Sequence, residues 1–204
     1  MRWDRFFDDL EDQVASEWEA ERAALDTEAE RLRLSTLTLA ARLRALAPLS
    51  PDAEGAEVTV DAAADRLRGT VTAAGSDWLA LDLADTAAAT VAALVPFAAV
   101  RGLALSHAAL LATARPSERP AGLRERMSFG FVLRDFVRRR LALAVHLVDG
   151  AVLSGTIDRA GADHLDLALH DPGSPRRAAS VSGFRLIPFD AVAWVRLEAA
   201  SVIR

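Results

Sequence analysis

The chain has no cysteine, no tyrosine and no lysine; all 24 of its basic residues are arginine. Without cysteine there are no disulfides, no thiolate-bound zinc and no thiol nucleophile. Without lysine there is no Schiff-base chemistry and no Gly-Lys-Ser/Thr loop to cradle a phosphate. Long apolar runs are missing as well. The longest, TAAATVAALVPFAAV from Thr86 to Val100, contains Pro96 and falls short of the ~20 residues a membrane span needs. The opening MRWDRFFDDLEDQ is acidic and has no apolar core, so it does not read as a secretory signal. These absences point to a cytoplasmic protein that does not enter the membrane.

A catalytic set is equally hard to find. Only 4 histidines are present, and no acid, base or nucleophile recurs beside another. His164, Asp166 and His170 alternate along one stretch, which puts them on one side of a strand where they could hold zinc. Trp78 and Ala80 stand at the first two of those places in an earlier, related stretch, so a solvated strand face is the expectation. The chain is therefore read as a non-enzyme with no cofactor and no metal.

What the chain does have is repetition. LRGTVTAAGSDWLALDL (67–83) and LSGTIDRAGADHLDLAL (153–169) share Leu, Gly-Thr, Gly, Asp and alternating leucines, 86 residues apart. LVPFAAVRGLAL and LIPFDAVAWVRL then match at Pro96-Phe97 and Pro188-Phe189, 92 residues apart. The extra residues fall in HDPGSPRRAASVSG, whose Pro, Gly and Ser mark a loop. Upstream, TLAARLRALA (38–47) and FVLRDFVRRR (131–140) each have helical spacing after a Ser or Thr cap. VDGAVLSG carries Asp149-Gly150, a hairpin-turn signal. A helix followed by four or five short strands, occurring twice, reads as a small curled barrel, not an open sheet, duplicated in tandem.

These motifs resemble the Sm-like barrels of the Hfq and archaeal Sm kind, over roughly 37–105 and 128–197. The resemblance implies two tandem helix-plus-small-β-barrel repeats; with the long N-terminal amphipathic helix that the apolar spacing of the arm predicts, the chain reads as an α+β protein. The corresponding division is an arm at 1–34, a first barrel with its helix at 35–112, a linker at 113–127 and a second barrel with its helix at 128–204. At the positions where the family contacts RNA this sequence departs: Asp166 lies near the place of an asparagine, and GFRLIPF lacks the Arg-Gly pair. Asp77 and Asp163, matched between copies right after a glycine and a small residue, read by their turn chemistry as residues that cap local backbone N–H groups.

The N-terminal arm has its own pattern. Trp3, Phe7, Leu10, Val14, Trp18, Leu25 and Leu32 recur at helical spacing, with Phe6 beside Phe7 and acidic residues between them. Aromatic anchors on one stripe point to a protein partner or to a second copy of the chain. Charge is uneven: residues 1–34 hold 5 arginines against 11 acids, whereas residues 113–204 hold 14 against 10. The first expectation is thus a non-catalytic adaptor or scaffold that binds a protein partner or self-associates, the arm contributing Trp3, Phe6, Phe7, Leu10, Val14, Trp18 and Leu25. The alternative is RNA or DNA binding through Arg138, Arg139, Arg140, Arg159, Arg176, Arg177 and Arg185 of the second repeat.

Overall fold

The computed structural model describes residues 2–47, 55–83, 91–115, 122–172 and 177–197, with side chains described from Trp18 onward apart from Ala20. The chain divides into two units, Met1–Thr38 and Leu39–Arg204. The first is helix α1 (Arg2–Ser35). On its described part Trp18, Leu25 and Leu32 are 62%, 65% and 60% exposed. The side chains of Trp3, Phe6, Phe7, Leu10 and Val14 lie outside the described residues. Among the described residues no helix is long and apolar enough to cross a membrane.

The second unit begins with α2 (Leu39–Arg44) and continues through β1 (Glu57–Ala62), β2 (Asp65–Ala74), β3 (Trp78–Leu83), β4 (Val91–Pro96) and β5 (Val100–Leu105). Then come α3 (His107–Thr113), α4 (Leu123–Arg126), α5 (Phe129–Arg139), β6 (Ala142–Leu147), β7 (Val152–Ala160), β8 (His164–Leu169), β9 (Gly183–Pro188) and β10 (Val192–Leu197). All ten strands join one antiparallel sheet in the order β5-β1-β2-β3-β4-β10-β6-β7-β8-β9.

This overturns the expectation of two separate helix-plus-barrel repeats. β4 of the first half pairs with β10 of the second, Val195 opposite Leu94, Arg196 opposite Ala93 and Leu197 opposite Ala92. The sheet therefore runs continuously through both halves, and only β5 and β9 lie at its ends. A strand edge presents unpaired N–H and C=O groups, and β4 and β10 satisfy theirs on each other.

Within each half the same local chemistry recurs. Gly69 opposes Leu83 and Gly155 opposes Leu169. A Cβ at either glycine would sit within 2.2 Å of a carbonyl oxygen on the neighbouring strand, so only glycine allows that approach. The ladder slips between Val71 and Ala73 and again between Ile157 and Arg159, a bulge that bends each strand. Strand periodicity is plain in β1, where Val58, Val60 and Ala62 are buried and their neighbours are not. In β4 every residue is buried, as expected for an apolar run with strands on both sides and side chains packed on both faces.

Helix α5 shows why its sequence is helical. Ser128 caps it, its Oγ accepting the Phe131 N–H. Phe129, Val132, Leu133 and Phe136 line one buried stripe, the spacing of an amphipathic helix. The helix ends at Arg140, which takes a left-handed conformation (φ 53°) and donates its N–H to Phe136 O and Val137 O.

Candidate functional site

The contact between the two halves of the sheet is built by an exchange of tryptophans. Trp78 opens β3 in the first half, is 1% exposed and belongs to the cluster of Phe129, Leu133, Phe136, Val145 and Leu165 from the second. Trp194 lies on β10 in the second half, is 5% exposed and belongs to the cluster of Val60, Leu81 and Val95 from the first. Each buried indole finds a polar partner, as a buried Trp N–H requires. Trp78 Nε1–H donates to Met127 O at 2.9 Å, and Trp194 Nε1–H donates to Asp65 Oδ2 at 2.7 Å.

Around Trp78 the turn Gly75–Asp77 grips the start of α5. Ser76 N–H donates to Met127 O at 3.0 Å. Asp77 Oδ1 accepts the Phe129 N–H at 2.6 Å, placing a carboxylate on the positive end of the helix dipole. A Cβ on Gly75 would lie 2.1 Å from the Trp78 ring, which explains the glycine. Around Trp194, His146 stacks on the indole with centroids 3.7 Å apart and planes 23° from parallel. Its Nδ1 lies 3.3 Å from Asp65 Oδ2. Burial pushes the His146 pKa below 6.5 and the nearby Arg196 pushes the same way, against the pull of Asp65.

The ends of the sheet look different. β9 carries Phe184 at 66% and Leu186 at 68% exposed. It is the counterpart of β4, where no residue is exposed. Likewise β5 is half exposed, whereas its counterpart β10 is buried except at Arg196. The same two strands are thus covered inside the sheet and uncovered at its ends. Asp163, the counterpart of Asp77, has its side chain 89% exposed and hydrogen-bonded to the adjoining His164 at 2.8 Å, which lowers its pKa.

The turn reading of the two aspartates therefore needs correction. Their backbones do match: Phe97 N–H donates to Asp77 O and Phe189 N–H to Asp163 O. Their carboxylates do not, because Asp77 caps a helix remote in sequence. The solvated-face reading of His170 also fails. His170 is 5% exposed; its Nδ1 is 3.1 Å from Asp171 O and its Nε2 2.9 Å from Thr156 Oγ1. A carbonyl only accepts, so Nδ1 carries the proton and Nε2 accepts from the Thr156 hydroxyl. His170 borders a cavity of about 350 Å³ with His146, Ser154 and Arg196, but both its nitrogens are already engaged. Among the described residues no group of three or more His, Asp or Glu is placed to hold a metal.

The arginines of the second half do not converge. Arg138 and Arg139 both hold Asp135, Arg139 Nε at 2.7 Å. Arg140 follows at the helix end, and Arg177 is exposed before a short 3₁₀ turn. Arg159 opposes Asp166 and Arg185 opposes Leu167. Asp166 and Leu167 are neighbours on β8, so Arg159 and Arg185 point to opposite faces of the sheet. Arg176 lies outside the described residues.

The residues that make the junction, Trp78, Trp194, Asp65 and His146, were not singled out from sequence. A signal was present: they are where the two copies disagree. His164 stands at the place of Trp78, Gly102 at that of Trp194, Ala151 at that of Asp65 and Asp61 at that of His146. Positions that build each copy match; positions that join the copies cannot. No family model matches the chain, and no curated protein shows significant similarity to it.

Proposed function

We propose that this protein is a non-catalytic cytoplasmic scaffold that acts by binding other protein chains along the ends of its sheet. The observation that carries this reading is the β9 edge, where Phe184 and Leu186 are both about two-thirds exposed on a strand that, among the described residues, has a partner strand on one side alone. Proteins blunt free edges with charge, proline or a covering element, and two large apolar side chains on an edge are the opposite of that defence. The exposed Trp18, Leu25 and Leu32 of α1 add a second apolar row of the kind that protein partners cover. Arg138 and Arg139 pair with Asp135, and Arg159 and Arg185 lie on opposite faces of the sheet, which gives less support to a nucleic-acid role that requires cations gathered on one track.

The test is a photo-crosslinking residue placed at position 184 in the full chain in living cells, with position 149 on an exposed turn as control. A protein adduct of defined mass at 184 and not at 149, insensitive to nuclease, is the expected result. No protein adduct, or an adduct that disappears with nuclease, would overturn the scaffold reading.

A further inference from the structure

We infer that the cavity between α2, α3 and β5 binds a small aliphatic carboxylate, its chain among leucines and its carboxylate on Arg42 and Arg101. The cavity holds about 230 Å³ and is lined by Leu43, Leu46, Val100, Leu103, Leu105 and Leu110 together with the two arginines. That is below the roughly 300–1,000 Å³ of sites for drug-sized ligands, so the occupant is small. The mouth is open to water, since the lining residues Leu39 and Leu110 are 56% and 44% exposed. The site is separate from the β9 edge on which the scaffold role rests.

The sequence explains why the space exists. In the second half α5 packs Phe129, Leu133 and Phe136 into its core. The matching helix α2 has six residues, LAARLR, without an aromatic side chain, and so leaves room against the sheet. A bulge shapes the opposite wall. Ala62 opposes Val100 while Asp61 opposes Gly102, so Arg101 is the extra residue. Such a bulge re-aims side chains, and Val100, Arg101 and Gly102 all line the cavity in succession.

The chemistry of the lining selects the ligand. Arg42 is partly buried, and among the described residues its hydrogen bonds all go to uncharged oxygens. Nε and Nη2 donate to Thr113 Oγ1 at 3.2 and 3.0 Å, and Nη2 also donates to Leu110 O at 3.3 Å. These contacts hold the guanidinium in place without balancing its charge, and a charge withdrawn from water calls for an opposite one. No aspartate or glutamate is among the described residues that line the cavity. A carboxylate meets the guanidinium fork with paired hydrogen bonds. The alkyl chain behind it covers Leu103, Leu105 and Leu110, none of which is fully buried, and removing their apolar surface from water favours binding.

The experiment is isothermal titration calorimetry of the full-length protein with octanoate, and with octanol as its uncharged counterpart. Octanoate binds saturably with a dissociation constant below about 1 mM. Octanol binds about tenfold more weakly, the usual worth of hydrogen bonds to a charged group. Arg42→Gln weakens octanoate binding by the same factor of about ten, and Arg42→Lys retains part of what is lost. Leu39→Glu sets a carboxylate three residues before Arg42 on the same helix, where it pairs with the guanidinium and competes with the ligand; Leu39→Gln retains binding. Leu39 is exposed, so these last two changes leave the core intact, and the near-ultraviolet signal of the buried tryptophans reports the fold. No saturable octanoate binding, or binding that Arg42→Gln and Leu39→Glu leave unchanged, would overturn the inference. Octanol binding as tightly as octanoate, or equal losses from Leu39→Gln and Leu39→Glu, would do the same, because the arginines would then select nothing.

Discussion

The carboxylate of Asp77 accepts the backbone N–H of Phe129 at 2.6 Å, across 52 residues of sequence. A residue in a strand turn of one half thereby caps the helix that covers the core of the other. Helix α5 is seated by both halves at once, its N-terminus held by Asp77, Ser76 and Trp78 and its apolar stripe by β7 and β8.

Removing that cap has a measurable cost. Asp77→Ala is expected to destabilise the protein by about 1 kcal/mol, the usual loss for a helix N-cap contact. Asp163→Ala at the matching place, where no helix is held, stays within about 0.5 kcal/mol of wild type, as surface changes do. Urea denaturation of the two variants decides it; equal effects would mean the cap contributes nothing.

The pair Thr156 and His170 gives a hydrogen bond between two buried side chains. Thr156→Val keeps the shape and leaves His170 Nε2 without its donor, costing about 1–3 kcal/mol. Thr156→Ser, which keeps the hydroxyl, is expected to recover part of that loss in the same denaturation measurement.

Stability should fall as pH drops below about 6.5 because of His146. Its folded-state pKa is held below the ordinary 6.5, first by burial. Between the two values the unfolded chain binds the proton and the folded chain does not, so the slope of stability with pH is positive. The loss therefore begins near 6.5 and ends at the lower folded-state value. His146→Phe retains the stacking on Trp194 and should flatten the melting temperature over that window. An unchanged pH profile would place the titration elsewhere.

Among the described residues two other than glycine hold left-handed backbone: Ala63 (φ 51°) in the β1–β2 turn and Arg140 (φ 53°) after α5. A side chain is unfavourable there by roughly 1–2 kcal/mol, while glycine gives back part of the gain through unfolded-state entropy. Ala63→Gly and Arg140→Gly are each expected to stabilise by a few tenths to about 1 kcal/mol, read as a rise in melting temperature. The matching turn already uses glycine, Gly150 at φ 88°.

Much of the architecture within each half was legible in advance. Gly69 and Gly155, the alternating leucines of β3 and β8, the Asp149-Gly150 turn and the stripe of α5 are local or near-neighbour features. Their period and spacing follow from pleat geometry and helix pitch, which act over a few residues. The resemblance of these motifs to small barrels led to the expectation of two self-contained repeats, and there the reading failed. Whether β4 closes on its own half or pairs with β10 depends on which edge groups meet after both halves have formed. Nothing in the pattern of a single strand encodes its partner. The arginines illustrate the same limit: Arg159 and Arg185 lie in one stretch of basic character, yet one residue of register on β8 sends them to opposite faces.

The sequence by itself determined the absence of thiol and lysine chemistry, the duplication, the strand and helix periods and the glycines that strand approach demands. Each follows from composition or from contacts between near neighbours. Tertiary structure alone decided that the halves merge into one sheet, that Trp78 and Trp194 cross between cores, and that β5 and β9 are left as ends. Those outcomes rest on satisfying edge hydrogen bonds and burying indoles among residues brought together from distant parts of the chain, as the link from Asp65 to Trp194 shows.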